Sequence, residues 1–353
     1  MPRMTRFAIN NITREDATLV ALTDTATGAT AHVWTEVGFN LLEAHLPVET
    51  PAGHRLVDAI MGPPTLDDLR VQPTWWGTPL LWPFPGRVPG GAYTFRGEAH
   101  RFGPPDRPDH PDPHGEGAHR FDMHGFVRHL PWRVTMRHVD DTHAALTAAF
   151  TSDDHPETLL GYPFPYRLEA TWTLDATGLR LDFQVMNTGD GDLPFGYGAH
   201  PYLRTPLGPS GEMADCLAVL DAREAWGGRD AASPMVPIET SHDLRDGRPV
   251  ARGAWNGIRG AVATHDGWWV GHVDDRLNGV RATVHADDRH PYCVVFVAPW
   301  GDGICFEPWT CPGDVFNLAE ARVPGHGLIT LPPGETWSAS MRLTVEALPT
   351  SAP

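Results

Sequence analysis

Residues 167–187, RLEATWTLDATGLRLDFQVMN, alternate apolar and polar side chains twice in succession. Leu168, Ala170, Trp172 and Leu174 are interleaved with Glu169, Thr171 and Thr173. After the turn at Ala176–Gly178, Leu179, Leu181, Phe183 and Val185 alternate with Arg180, Asp182 and Gln184. A period of two sends successive side chains to opposite faces of a strand, so this stretch predicts an antiparallel hairpin with one buried face. The pattern recurs at 17–36 and 92–102, with turns at Ala26–Gly28 and Arg96–Gly97. Further strands are predicted at 280–286, 292–300 and 336–347. Helical periodicity is scarce, and TLDDLR (65–70) amounts to a turn or two. The 36 glycines and 35 prolines punctuate many short strands. Many strands without crossover helices predict an all-β protein built as a large antiparallel β-sandwich. No repeat or linker divides the chain, which reads as one domain over residues 1–346 with a loose tail at 347–353.

A hydrophobic content of 41% and a charged content of 20% suit a globular chain with a sizeable core. A formal charge of −17 repels phosphate backbones and anionic lipid, which argues against nucleic acid and membrane surfaces as partners. No run reaches the eighteen or so apolar residues that cross a bilayer, and the N-terminus lacks the apolar core of a secretory leader. Cys216, Cys293, Cys305 and Cys311 have no CxxC spacing and read as reduced thiols, so a cytoplasmic location is expected. Thirteen tryptophans tilt the reading toward carbohydrate, whose clefts use indole faces. The proline-rich segment 103–119 carries His110, His114 and His119 at a spacing that fits no structural zinc pattern, and it reads as a solvated loop.

Four stretches place a polar group at a strand end beside glycine, proline and aromatic residues, as a sandwich does when it presents a site on an open face. They are LLWPFPGRV (80–88) with Arg87, DMHGFVRHLPW (122–132) with His124, FGYGAHPYLRTP (195–206) with His200, and GICFEPWTCPGDVFN (303–317) with Glu307. Taken singly, Arg87 reads as a surface or ion-pair residue, and either histidine as a structural imidazole. Glu307 is harder to dismiss, because ICFEPW would desolvate a carboxylate between strand hydrophobes and an indole.

In this order the four stretches resemble the motifs of the aldose 1-epimerases, the galactose mutarotase-like proteins. They stand here as PGRV, HGFVRHLPW, HPYL and EPWTCPGDVFN, and the resemblance runs from about residue 15 to 345. It implies a single β-sandwich of the supersandwich type, with Glu307 as general base, His200 as general acid, and His124 and Arg87 holding the sugar. Many family members carry a further sugar-contacting aspartate where this chain has Trp255 and Asn256, which leaves the hexose preference open.

Interconverting the α- and β-anomers of an aldose requires opening the ring hemiacetal. A base takes the proton of the C1 hydroxyl while an acid protonates the ring oxygen, and closure on the other face reverses both transfers. No cofactor or metal is needed. The expected site therefore has a carboxylate and an imidazole on opposite sides of C1–O5, with the carboxylate raised by burial and the imidazole kept protonated by the nearby anion. Arg87 and His124 would donate to ring hydroxyls, and Trp132 or Trp309 would form an apolar wall. The expected partner is a small sugar, and the expected assembly a monomer or weak homodimer. Two alternatives keep the fold: a hexose-6-phosphate 1-epimerase with Arg128, or a basic loop near the cleft, on the phosphate, or a non-catalytic sugar-binding domain. A glycosidase is weaker, since it requires two flanking carboxylates and Asp314 reads as a turn residue.

Overall fold

The hairpin at 167–187 forms with its expected turn: strands Tyr166–Asp175 and Gly178–Asn187 pair antiparallel, with Leu174 opposite Leu179. The computed structural model describes residues 5–50, 53–102, 123–226, 235–253 and 256–349. The expectations for His110, His114, His119 and Trp255, and for tail residues 350–353, fall outside them. Inward-facing Leu168, Ala170, Trp172, Leu174, Leu179, Leu181, Phe183 and Val185 are all buried in one core, as the alternation requires.

This hairpin lies within a nine-stranded antiparallel sheet, where Gly178–Asn187 pairs with the closing strand Thr336–Ala347 and that strand pairs with Val280–Asp287. A five-stranded meander runs in chain order from strand Phe7–Arg14 to strand Gly53–Asp58. It includes the hairpin expected at 17–36, as Ala17–Asp24 against Thr30–Trp34. The hairpin expected at 92–102 is the two-stranded pair Ala92–Phe95 and Glu98–Arg101. TLDDLR gives one short helix, Leu66–Val71. Thr65 caps it by accepting from the Asp68 N–H, and the Asp68 carboxylate reaches back to the Thr65 N–H. The protein is all-β as expected, and its described strands pair antiparallel. No helix among the described residues is long and apolar enough to cross a membrane. All four cysteines are free and buried.

An eight-stranded sheet positions the site. Its centre pairs Tyr292–Val297 with Gly303–Trp309, and the latter also pairs with the short strands Gly198–Ala199 and Tyr202–Arg204. Both faces of Gly303–Trp309 are buried. Ile304 and Phe306 enter the main core, whereas Trp309 joins a separate cluster with Leu81, Tyr292 and Val294 on the other face. The alternation that sends Phe306 inward sends Glu307 to that second face, where a cavity opens.

Candidate active site

The cavity has a volume of about 440 Å³, within the range of small-molecule sites. Arg87, His124, His200, Glu307 and Trp309 all line it, so the four sequence stretches converge as expected. Trp132 does not belong with them. It is 4% exposed, stacks on Phe39 at 5.8 Å between ring centres, and donates its indole N–H to the Val127 carbonyl at 3.2 Å. Its place in HGFVRHLPW suggested a pocket wall, but the strand that follows carries it into the core.

Backbone register sets the central pair. Gly198 pairs with Trp309 and Tyr202 with Cys305, so His200, midway, stands across from Glu307. His200 Nε2 approaches Glu307 Oε1 to 3.2 Å. The expectation of groups on opposite sides of a sugar ring is corrected here: adjacent strands hold them side by side, both at the cavity floor. The imidazole is packed on three sides. It stacks on Tyr202 at 4.6 Å and meets His124 and Phe296 edge-on at 5.6 and 5.9 Å. Tyr202 is itself fixed by its hydroxyl donating to the Thr74 carbonyl.

Burial controls the protonation of this pair. Glu307 is 1% exposed, and desolvation pushes its carboxyl well above the usual range, opposed by a hydrogen bond from the Trp309 indole to Oε2 at 3.0 Å. Burial pushes His200 down to about 3. The expectation that a neighbouring carboxylate keeps the imidazole charged is thereby reversed: desolvation places the proton on Glu307 and leaves His200 neutral. The contact pair then carries one proton, which either partner can hold.

His124 is held by unusual backbone. It and Gly125 both adopt left-handed φ, at 59° and 65°, a region that costs a residue bearing a Cβ about a kcal/mol or more. Gly125 cannot be replaced without a shift, since a Cβ there would lie 2.0 Å from the Trp82 carbonyl oxygen. The His124 N–H donates to the Gly86 carbonyl, and the Gly86 N–H donates to His124 Nδ1 at 3.0 Å. Nδ1 is thus an acceptor. Burial, with the charges of Arg128 and Arg87 behind it, pushes His124 well below the usual imidazole range. A neutral ring accepting at Nδ1 carries its hydrogen on Nε2, which makes His124 a donor.

Trp309 also depends on glycine. A Cβ on Gly198 would fall 2.8 Å from its ring, and one on Gly86 would fall 3.1 Å from it. Gly86 and Gly313 approach backbone to backbone, and the Asp314 N–H donates to the Arg87 carbonyl at 2.6 Å. The first and last stretches therefore brace each other. Asp314 takes left-handed φ ahead of helix Val315–Glu320 and accepts from Asn317 Nδ2, in keeping with a turn residue. Arg128 is buried and donates to the Met123 carbonyl at 2.9 Å, and it does not line the cavity. That removes the residue assigned to a phosphate.

Sequence reasoning missed Tyr202, Val294, Phe296, Trp300 and Trp75 as cavity residues. Tyr202 was reachable, since it lies two residues beyond His200 on an extended chain and so shares its side. Asn256, noted as standing where family members carry aspartate, lines the cavity and accepts from the Val297 N–H at 2.9 Å.

Among the described residues two clusters bring metal-ligand atoms within 4.8 Å of one another. In His200–Cys305–Glu307 all three groups are buried, and burial holds the Cys305 thiol well above its usual range. In His138–Asp140–His143, Asp140 Oδ1 already accepts from the Thr142 hydroxyl and from the Thr142 and His143 N–H groups, which makes the cluster a hairpin turn.

A sequence profile described as aldose 1-epimerase matches residues 45–344. The Escherichia coli K12 proteins YihR and YphB are 22% and 26% identical over 239 and 282 residues, spanning 67% and 76% of this chain and 71% and 83% of theirs. A galactose mutarotase-like protein from Clostridium acetobutylicum superposes with a TM-score of 0.80 at 19% identity, covering 97% of this chain and 99% of that one. Galactose 1-epimerase from Lactobacillus acidophilus gives 0.69 at 18% identity, covering 98% and 100%.

Proposed function

The chain belongs to the aldose 1-epimerase family, and from that premise we propose that it interconverts the α- and β-anomers of an aldohexose, with Glu307 as general base and His200 as general acid. The observation that carries this reading is the 3.2 Å approach of His200 Nε2 to Glu307 Oε1 on the floor of a cavity walled by hydrogen-bond donors.

Side-by-side placement suits the reaction. The C1 hydroxyl and the ring oxygen are both bonded to C1, so an acid and a base on neighbouring strands reach both from one side. Ring opening transfers the hydroxyl proton to the Glu307 carboxylate and the His200 proton to the ring oxygen. Rotation about C1–C2 and closure reverse both transfers, and the proton count of the pair is restored. The ring-opened state leaves Glu307 protonated and His200 neutral, which is the arrangement burial favours. Burial favours the same arrangement at rest, so the shared proton first crosses the 3.2 Å contact from Glu307 to His200 to arm base and acid, and the pair needs no proton from solvent. His124 Nε2–H and Arg87 hold ring hydroxyls, and Trp309 covers an apolar face of the sugar.

The test is the rate at which freshly dissolved α-D-glucose and α-D-galactose reach anomeric equilibrium, followed by polarimetry or NMR. Acceleration by the wild-type protein and its loss in Glu307→Gln are expected. Failure to accelerate any common aldose would remove the reading.

A further inference from the structure

The alternation that turns Glu307 toward the cavity turns Cys305 to the same side of strand Gly303–Trp309, while Ile304 and Phe306 enter the main core. Cys305 pairs across the sheet with Tyr202, and the His200 imidazole is stacked on the Tyr202 ring. Three unlike donors are thereby brought together: an imidazole nitrogen, a thiol sulfur and a carboxylate oxygen lie within 4.8 Å of one another. All three residues are buried, and Cys305 is a free thiol. Their atoms are lightly engaged. The Trp309 indole takes Glu307 Oε2 and leaves Oε1 directed at His200 Nε2, 3.2 Å away, while His200 Nδ1 has no hydrogen-bond partner.

Tetrahedral zinc, with bonds of about 2.0–2.1 Å to nitrogen or oxygen and about 2.3 Å to sulfur, sets its ligand atoms about 3.3–3.6 Å apart. The 3.2 Å contact of His200 with Glu307 is already close to one such edge, and the distances to the thiol close by side-chain rotation. One nitrogen, one sulfur and one oxygen suit Zn²⁺, whereas Mg²⁺ and Ca²⁺ take oxygen ligands. Three protein ligands leave a fourth position, and it faces the cavity that His200 and Glu307 line. The Trp309 N–H on Oε2 supplies the outer contact that orients a ligating carboxylate. Anomer exchange needs no metal, and a metal here works against it. Coordination takes the lone pairs that move protons: one Zn²⁺ replaces the proton shared by His200 and Glu307 and the thiol proton of Cys305, and both protons leave to solvent.

We propose that His200, Cys305 and Glu307 form an inhibitory Zn²⁺ site, filled from the cavity, whose occupation switches the acid–base pair off. The site stands on its own geometry, and that its filling stops catalysis rests on the epimerase reading above. Zn²⁺ titrated into the wild-type protein by calorimetry should bind as one tight ion per chain. Co²⁺, as a spectroscopic substitute, should show a thiolate-to-metal charge-transfer band. In Cys305→Ser that band should vanish. Loss of an outer contact alone costs roughly 10–100-fold in affinity, so loss of this ligand should weaken Zn²⁺ binding by about a hundredfold or more. Saturating Zn²⁺ should slow wild-type equilibration of glucose or galactose anomers by roughly 10²–10⁴-fold, the contribution of positioned acid and base groups, and EDTA should restore it. The Zn²⁺ concentration that inhibits Cys305→Ser, relative to the same protein with EDTA, should rise in step with its weaker binding, and Mg²⁺ should inhibit neither protein. A wild-type Co²⁺ complex without the thiolate band overturns the site and needs no variant to fold. So does Zn²⁺ binding that is unchanged in both Cys305→Ser and Glu307→Gln. Zn²⁺ bound at the site with an unchanged equilibration rate overturns the inhibition. A wild-type protein that accelerates no aldose removes the epimerase reading, while the Co²⁺ spectrum still decides the site.

Discussion

The indole N–H of Trp309 donates to Glu307 Oε2 at 3.0 Å, and it is the hydrogen bond that opposes the upward shift imposed on this carboxyl by burial. Trp309→Phe keeps an aromatic wall but deletes the donor. Glu307 then rises further, its carboxylate form becomes scarcer at any given pH, and the rise of kcat/KM with pH moves to higher pH. A hydrogen bond to a charged group contributes about 1.5–3 kcal/mol, so the loss at neutral pH should be roughly tenfold or more. An unchanged pH–rate profile would reduce Trp309 to a wall alone.

In the proposed mechanism Glu307 and His200 act together on the two oxygens of one hemiacetal, so their contributions should not add. Glu307→Gln and His200→Gln should each lower kcat by roughly 10²–10⁴-fold, and the double variant should be little worse than the poorer single one. Multiplicative losses would mean that the two groups act in separate steps. A Glu307→Gln protein with wild-type rate and sugar affinity would leave only a binding role.

Much of this arrangement is legible in the sequence, and the parts that are not share a cause. Alternation exposes the hairpin at 167–187 because one face is buried and the other is polar. In YCVVFVAPW and GICFEPW both faces are buried, one against the main core and one around the cavity, so alternation vanishes from the letters. Phe296 and Val294 therefore look no different from Val295 and Val297, although only the former pair faces Glu307 across the sheet with Trp309. Glu307 was visible because a lone carboxylate in such a run is anomalous. Trp132 misled because a motif gives proximity along the chain, whereas its direction is set by packing on Phe39 and Phe150. The 3.2 Å spacing of His200 and Glu307 depends on strand register, which local sequence does not encode.

Arg87 and His124 differ from the central pair in what they should cost. Both are proposed to hold hydroxyls that are present in ground state and transition state alike, so their loss should appear mainly in KM. Arg87→Met should raise KM roughly 5–100-fold with a smaller change in kcat, corresponding to about 1–3 kcal/mol for an unpaired polar group in a desolvated site. Steady-state equilibration rates across sugar concentrations separate the two parameters. A fall confined to kcat would instead place Arg87 in charge stabilisation at the reacting atoms.

Glu307→Gln should make the protein more stable while making it inactive, and the gain should grow with pH. The folded-state pKa of Glu307 lies above its unfolded value near 4.5. Above pH 4.5 the unfolded chain therefore releases a proton that the folded protein retains, and wild-type stability declines as pH rises through the folded pKa. Glutamine carries the same acceptor and donor as the protonated acid, one toward the Trp309 indole and one toward His200, without that linkage. His200 has the opposite dependence: with a folded value of about 3 against 6.5, it lowers stability as pH falls from 6.5. It does so in both proteins, so the difference between them isolates Glu307. Thermal unfolding should show nearly equal midpoints at pH 5 and a gain for the variant of roughly 1–3 °C at pH 8, from about 1–2 kcal/mol in a chain of this size. A variant that is less stable at pH 8 would mean that Glu307 is ionised in the folded protein, and that burial does not set the resting position of the shared proton.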